Sequence, residues 1–224
     1  MSRPIAVLRP EPGNRATADA IAARGRHAIR LPLFEVVPVA WQAPDPAGFD
    51  ALILTSANAL RRGGAGLAKL AALPVYAVGE ATAAAARSAG FSVAMTGSAG
   101  AAELIAGAGA AGVRHALHLA GRERSVEPGG IVASAITVYA SDPRRIAPEE
   151  AAALAGSVAI VQSPRAAALL GEIAVREGLA RESIALVAVS DRAAAAAGTG
   201  WERILVPPVM TAEALVEAAV SLAD

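Results

Sequence analysis

Cysteine is absent from the 224-residue chain, so neither disulfides nor thiolate metal sites are available. Only three histidines occur, His27, His115 and His118. The last two flank a strand start at a spacing of three, which places them on opposite faces of an extended segment. Each reads as an ordinary, partly exposed histidine, and no metal site is expected. A net charge is lacking too: 20 basic side chains balance 20 acidic ones, leaving no field to gather nucleic acid or an anionic membrane surface. No uninterrupted apolar run reaches the roughly 18 residues a membrane-spanning helix needs. The opening MSRPIAVLRPEPG has an apolar core too short for a secretory signal. The expectation is a soluble, cytoplasmic protein with neither a nucleic-acid nor a membrane partner. Catalytic signatures are equally scarce. No P-loop, nucleophile elbow or Ser/His/Asp set can be assembled, which removes most support for covalent or metal chemistry.

What is present is alanine and order. The hydrophobic fraction is 54%, much of it alanine. Against that background IAVL (5–8), ALILTS (51–56), VYAV (75–78), ALHLA (116–120), VAIV (158–161) and IALVAV (184–189) stand out as near-continuous apolar runs of strand length. Helical patterns lie between most of them: NRATADAIAARG stops at Gly25, and TAEALVEAAVSLA opens on Thr211 as an N-cap. Alternation of this kind predicts parallel sheets flanked by helices. GAGAAG (107–112) spells the dinucleotide fingerprint, but a helical pattern precedes it and a strand follows, the reverse of the required context. It reads as a flexible connector.

The chain also repeats itself. LILTSANAL (52–60) resembles AIVQSPRAAALL (159–170), VGEATAAAA resembles VSDRAAAAA, and AAELI (101–105) resembles TAEAL (211–215), in the same order and at nearly one offset. Two similar lobes follow from this. Repetition alone is equally compatible with a cut in mid-chain. LPLFEVVPV (31–39) and SAITVYAS (134–141) fit neither lobe as ordinary crossovers and read as connections between them.

Small polar residues recur just after strands and before helices: Thr55 and Ser56, Gly79 to Thr82, Ser163 and Arg165, Ser190 and Asp191. In parallel α/β sheets ligands bind at these carboxyl ends, where helix N-termini offer free amides to carboxylates or phosphates. Singly, each serine or threonine is a plain helix cap. Recurrence in both halves argues for a ligand site. Arg9, Arg122, Arg124 and Arg165 also lie just past strands and offer the positive potential a polyanion needs. Tyr139 stands in the connection ITVYAS; a phenol is protonated at neutral pH and can donate in a cleft.

RPEPGNRATADAIAARG, LPLFEV, FDALILTSANAL, LPVYAVGEATAAAARSAGF, LHLAGRE, ITVY, VQSPRAAALL and TAEALVEA, taken in order along nearly the whole chain, resemble the uroporphyrinogen-III synthase family. TSAN with the downstream VGEAT carries most of the specificity. The resemblance implies two α/β lobes, each a parallel sheet flanked by helices, joined by two extended linker strands with a cleft between. It implies residues 1–35 with 143–224 as one lobe, 41–136 as the other, and linkers at about 33–40 and 136–142. It implies a lyase that closes hydroxymethylbilane, a linear tetrapyrrole with eight carboxylates, into uroporphyrinogen III with inversion of the last ring and loss of water. The route runs through an azafulvene and a spiro intermediate, without a cofactor.

By position, Tyr139 matches the family tyrosine that assists departure of the hydroxyl, and Thr82 matches the threonine of the G-x-A-T turn. Arg9, Ser56, Arg122 and Ser163, with the neighbouring Asn58, Gly79 and Arg165, are the expected substrate contacts. No metal, no cofactor and a monomer are expected. Two departures stand out. Ser190, Asp191 and Arg192 replace a turn that usually carries threonines, and the stretch from Gly121 to Tyr139 is shorter than the usual helix-containing version, with Pro128, Gly129 and Gly130 in its place. The altered turn keeps open a catalytically silent, tetrapyrrole- or anion-binding protein as the alternative.

Overall fold

Apolar runs without alternation can be satisfied only by strands covered on both faces, and this is how they are used. In chain order the elements are β1 (Ile5–Val7), α1 (Gly13–Ala22), β2 (Ala28–Arg30), β3 (Phe34–Pro38), β4 (Ala51–Leu54), α2 (Asn58–Arg62), β5 (Val75–Val78), α3 (Glu80–Ser88), β6 (Val93–Gly97), α4 (Ala101–Ala110), β7 (Ala116–Gly121) and β8 (Val132–Pro143). They continue with α5 (Pro148–Ala152), β9 (Val158–Val161), α6 (Pro164–Arg176), β10 (Ala185–Ala188), α7 (Asp191–Ala197), β11 (Arg203–Leu205) and α8 (Ala212–Ala223). β4, β7, β9 and β10 are buried along their full length. The computed structural model describes residues 2–224.

Two units can be delimited, Met1–Glu35 with Pro143–Asp224, and Val36–Asp142. The first contains a five-stranded sheet in the order β11-β10-β9-β1-β2, parallel throughout. Leu170 and Ile173 of α6, Ala193 of α7 and Ala151 of α5 pack on one face with Leu8, Val161 and Leu186. Ile21 of α1 and Leu215 and Val216 of α8 pack on the other with Ile5, Val158 and Val187. The second unit has six strands in the order β3-β8-β7-β4-β5-β6. Its faces are covered by α2 and α3 on one side and by α4, through Leu104 and Ala108, on the other. The sequence expectation of parallel, helix-flanked sheets therefore holds.

The strand orders of the two units correspond, and the sequence repeats fall on the matching elements. β4-α2-β5-α3-β6-α4-β7-β8 in one unit answers β9-α6-β10-α7-β11-α8-β1-β2 in the other. The second series is interrupted: it runs to the carboxyl end of the chain and is completed by β1 from the amino end. A hydrogen bond from the Arg3 amide to the Ala223 carbonyl, 2.9 Å, closes the gap. One element lacks a counterpart. α1 bridges β1 and β2, whereas β7 and β8, also parallel, are joined by the helix-free loop 122–131. Parallel neighbours ordinarily need a longer crossover. Gly129 and Gly130, both at positive φ (156° and 56°), turn the chain back.

Two sequence expectations are corrected. GAGAAG is not a flexible connector: its first four residues complete α4, and Gly107 lets this helix lie close to the Met95 side chain of β6, whose Sδ would stand 2.9 Å from a Cβ there. His118 is not a partly exposed histidine. It is fully buried, since β7 is covered on both faces, while His27 and His115 are exposed.

The end of β1 is fixed by Asn14, itself fully buried. Its Nδ2 donates to the carbonyls of Val7 (2.7 Å) and Arg9 (3.0 Å), and its Oδ1 accepts from Arg30 Nε (3.2 Å). Replacing Asn14 by alanine removes the bond to the Arg9 carbonyl and leaves the Val7 carbonyl only its bond from the Leu31 amide (3.1 Å), so Asn14→Ala is expected to lower stability by about 1–3 kcal/mol in urea unfolding. A loss below about 0.5 kcal/mol would show that the network does not hold this turn.

Candidate active site

Parallel strands end together, and the residues singled out from sequence lie in two rows, one at the carboxyl ends of each sheet. In the six-stranded sheet the row begins after β4. Ser56 Oγ accepts from the Asn58 amide (3.2 Å), which opens α2, and Asn58 Oδ1 receives Arg61 Nη1 at 3.4 Å. Thr55 and Ser56 are half-buried. On one side stands the turn after β5. Gly79 adopts φ 77°, ψ 150° as the N-cap of α3, a conformation that favours glycine. Its amide donates to the Gly97 carbonyl (2.8 Å), while its own carbonyl accepts from Thr82 and Ala83. The amides of Glu80 and Ala81 are left pointing out of the helix start, where partial positive charge accumulates. Thr82 is only 5% exposed, which makes it a less accessible ligand group than its neighbours.

On the other side of β4 comes β7, then β8. Tyr139 pairs in register with Gly121, and the Arg122 amide donates to the Tyr139 carbonyl (2.9 Å). The tyrosine ring lies directly over Gly121: a Cβ there would stand 2.8 Å from the ring carbons and 3.0 Å from the hydroxyl oxygen. Tyr139 is half-buried and its hydroxyl has no hydrogen-bond partner among the described residues. It is therefore held by its ring and available at its tip. Sequence reasoning found the tyrosine but missed the glycine that seats it.

In the five-stranded sheet the row consists of Arg9 after β1, Ser163 and Arg165 after β9, and Ser190 to Arg192 after β10. Ser163 Oγ caps α6 by accepting from the Ala166 amide (3.1 Å), and Ser190 Oγ caps α7 by accepting from the Ala193 amide (3.3 Å). Both serines thus act as helix caps, their hydroxyl hydrogens remaining free to donate. Asp191 sits in the first turn of α7, so a carboxylate of the protein itself already faces that helix start. A substrate carboxylate is disfavoured there.

The four arginines are not equivalent. Arg122 pairs with Asp142 (2.7 Å) at the surface. Arg124 pairs with Glu127 (3.1 Å) and donates to Thr137 Oγ1 (2.9 Å). The Arg165 guanidinium stacks over Phe34 at 4.8 Å from the ring centroid. Arg9 alone has no acceptor for its guanidinium among the described residues, and burial lowers its pKa from the ordinary guanidinium value while leaving it charged. The group lies across the start of α1, where a Cβ at Gly13 would come within 2.4 Å of Arg9 Nε. A cation at a helix N-terminus is electrostatically disfavoured unless an anion joins it. Arg9 also borders a pocket of about 310 Å³ between α1 and α8, lined further by Thr17, Arg24 and Glu213. No group of His, Asp and Glu able to hold a metal ion exists among the described residues, and none of their helices is long and apolar enough to cross a membrane.

Two parallel α/β units whose helix starts and small polar residues gather at the carboxyl ends of the strands belong to the class of α/β proteins in which ligands bind at strand ends. The sequence model of the family described as uroporphyrinogen-III synthase HemD matches residues 15–217, and the chain belongs to that family of lyases. The fold agrees. Uroporphyrinogen-III synthetase from Helicobacter pylori is 20% identical, with a TM-score of 0.66 over 98% of this chain and 99% of that one. A mutant uroporphyrinogen III synthase from Thermus thermophilus is 16% identical, with a TM-score of 0.50 over 97% of each chain. No curated protein sequence matches the chain.

Gly121→Ala is expected to push the Tyr139 ring off its seat, lowering turnover by about tenfold while costing less than about 2 kcal/mol of stability, since the ring is half exposed and can yield. Full activity in a variant whose Tyr139 has moved would remove the tyrosine from the chemistry.

Proposed function

We propose that the strand-end rows bind the carboxylates of hydroxymethylbilane and that Tyr139 assists departure of its terminal hydroxyl, so that the chain closes this linear tetrapyrrole into uroporphyrinogen III. The single observation that carries the assignment of roles is the free Tyr139 hydroxyl, held over Gly121 at the end of β7. In the first step the C–O bond to the terminal methylene breaks. The phenol donates toward the leaving oxygen, which departs as water once protonated; the pyrrole nitrogen supplies the electron pair that forms the azafulvene and gives up its N–H proton, which balances the one the phenol lent. In the second step the substituted α-carbon of the last ring attacks the electrophilic methylene to give the spiro intermediate; its bond to the preceding bridge methylene then breaks, and that methylene rejoins at the ring's free α-carbon, which loses its proton, so the last ring is inverted.

The protein's contribution is geometry. A flexible polyacid closes the less direct way only if its arms are held, and effective molarity gained by orientation is worth several kcal/mol. The amides of Glu80 and Ala81, the hydroxyls of Ser56 and Ser163, Asn58 and the unpaired Arg9 are the groups we assign to that holding. Arg122 and Arg165 are secondary, because each is already engaged by Asp142 or Phe34. Thr82 supports the Gly79 turn. The Ser190–Arg192 turn is left outside the set because Asp191 occupies its helix start. The reading needs no metal or cofactor, and the protein's placement in the cytoplasm is part of the same proposal.

Hydroxymethylbilane closes unaided to the type I isomer, so product identity is the test. With the protein present the type III isomer should dominate; an unaltered isomer ratio supports a silent binding protein instead. Tyr139→Phe should reduce turnover by about tenfold or more, within the range of general acid contributions, with KM and melting temperature close to those of the parent. Equal turnover in the two proteins would assign the proton to another donor.

A further inference from the structure

His118 is a buried titratable group for which the proposed chemistry has no use. Register with the neighbouring strands fixes its place: His118 pairs with Ile53 of β4 and Ala135 of β8, as Val7 of β1 pairs with Ile160 of β9. In the correspondence of the two units, His118 therefore stands where β1 carries Val7. On that face α1 covers the sheet in one unit. In the other the helix is missing and Val126, from loop 122–131, closes over the strand.

An imidazole in such a place must earn its burial through hydrogen bonds. Its Nε2 lies 3.2 Å from Thr55 Oγ1. Thr55 is the last residue before Ser56, whose hydroxyl opens α2. The other ring nitrogen, Nδ1, has no well-formed hydrogen bond among the described residues. The charged groups that act on the ring are Arg124 and Glu127, both on loop 122–131 and paired with each other; β4 and β8 bring the neutral Thr55, Ile53 and Ala135. Burial, the largest influence, holds the imidazole below its ordinary pKa against the Val126 backbone carbonyl, which favours the protonated ring. Arg124 adds to the lowering, and Glu127 opposes it.

We infer that His118 is a positioning residue for the Thr55–Ser56 strand end, which its neutral ring holds in binding geometry and its protonated ring releases. The inference rests on the assignment of Ser56 to the substrate row. A neutral ring satisfies Thr55. A protonated ring places a second donor and a full charge where the one nearby acceptor, the Val126 backbone, makes no well-formed bond to Nδ1, so the ring or the strand end must move to satisfy it. The folded value is depressed, so the stabilisation is complete above the ordinary imidazole value near 6.5. It falls as pH drops below that value, because the unfolded chain takes up a proton first, and levels only below the folded value.

The test combines spectroscopy with kinetics on the full chain. Imidazole NMR follows His118, which should titrate below the ordinary imidazole value near 6.5, and Thr55→Val should move its midpoint. In the isomer-resolved assay, kcat/KM of the parent should fall over the same acid interval through KM. His118→Val should raise KM by about threefold to tenfold at neutral pH, the worth of one hydrogen bond, with kcat nearly retained. His118→Gln, whose amide reaches Thr55 but does not titrate, should recover part of that loss and show a flat acid side. An acid fall in His118→Gln identical to the parent's, or a His118 that titrates at the ordinary imidazole value, overturns the inference. Should the parent produce no type III isomer, the functional reading fails, while the response of His118 to Thr55→Val still decides whether the ring and the strand end are coupled.

Discussion

Everything of consequence in this protein follows from strands running the same way. A parallel sheet delivers all its strand ends to one edge and starts the following helices there. Backbone amides without intrahelical partners therefore gather where no side-chain charge is required. For a chain with no net charge this is the available means of holding a polyanion. It also explains why the helix-opening residues are small and polar. Gly79 permits a backbone conformation, Ser163 and Ser190 close helix starts, and Ser56 opens a short one. The same atoms that finish the secondary structure define the candidate site.

The fold class was legible because burial on both faces forces near-continuous apolar runs, and each such run became a strand. The repeat was legible because corresponding turns demand corresponding residues. Less visible was its interruption, which depends on β1 entering between β9 and β2, a pairing no local pattern encodes. The histidine was misread for a related reason. A spacing of three says which face a residue occupies, but not that both faces of β7 are covered. GAGAAG was misjudged because glycine disfavours helix on average, whereas here Gly107 gives α4 room against the Met95 side chain. Arginines were found by position alone, and position does not reveal that Arg122 is neutralised by Asp142 while Arg9 stays unpaired.

The candidate residues accordingly divide by what the packing leaves them free to do. Tyr139 and Arg9 have both a fixed base and an unengaged end: a ring seated on Gly121 in one case, a backbone gripped by Asn14 in the other. Fixing the stem and freeing the tip lets a side chain meet a ligand without a large entropic cost. Thr82 and His118 are fixed throughout, so any effect they have passes through the turns they support. Family membership names the reaction, and this division says which side chains are in a position to take part in it.

The interruption of the repeat bears on the order in which the chain can assemble. Residues 36–142 leave the ribosome as one uninterrupted stretch, with every strand of the six-stranded sheet from β4 to β8 in hand. β1, made first, has to wait for β9, some 150 positions later, before the five-stranded sheet can form. Closing so long a span would be entropically slow. The edge pairing of β3 with β8, including the bond from the Val39 amide to the Val138 carbonyl at 3.0 Å, draws the two ends of the intervening segment together. With residues 36–142 folded, β1 has a far shorter tether to close before it meets β9.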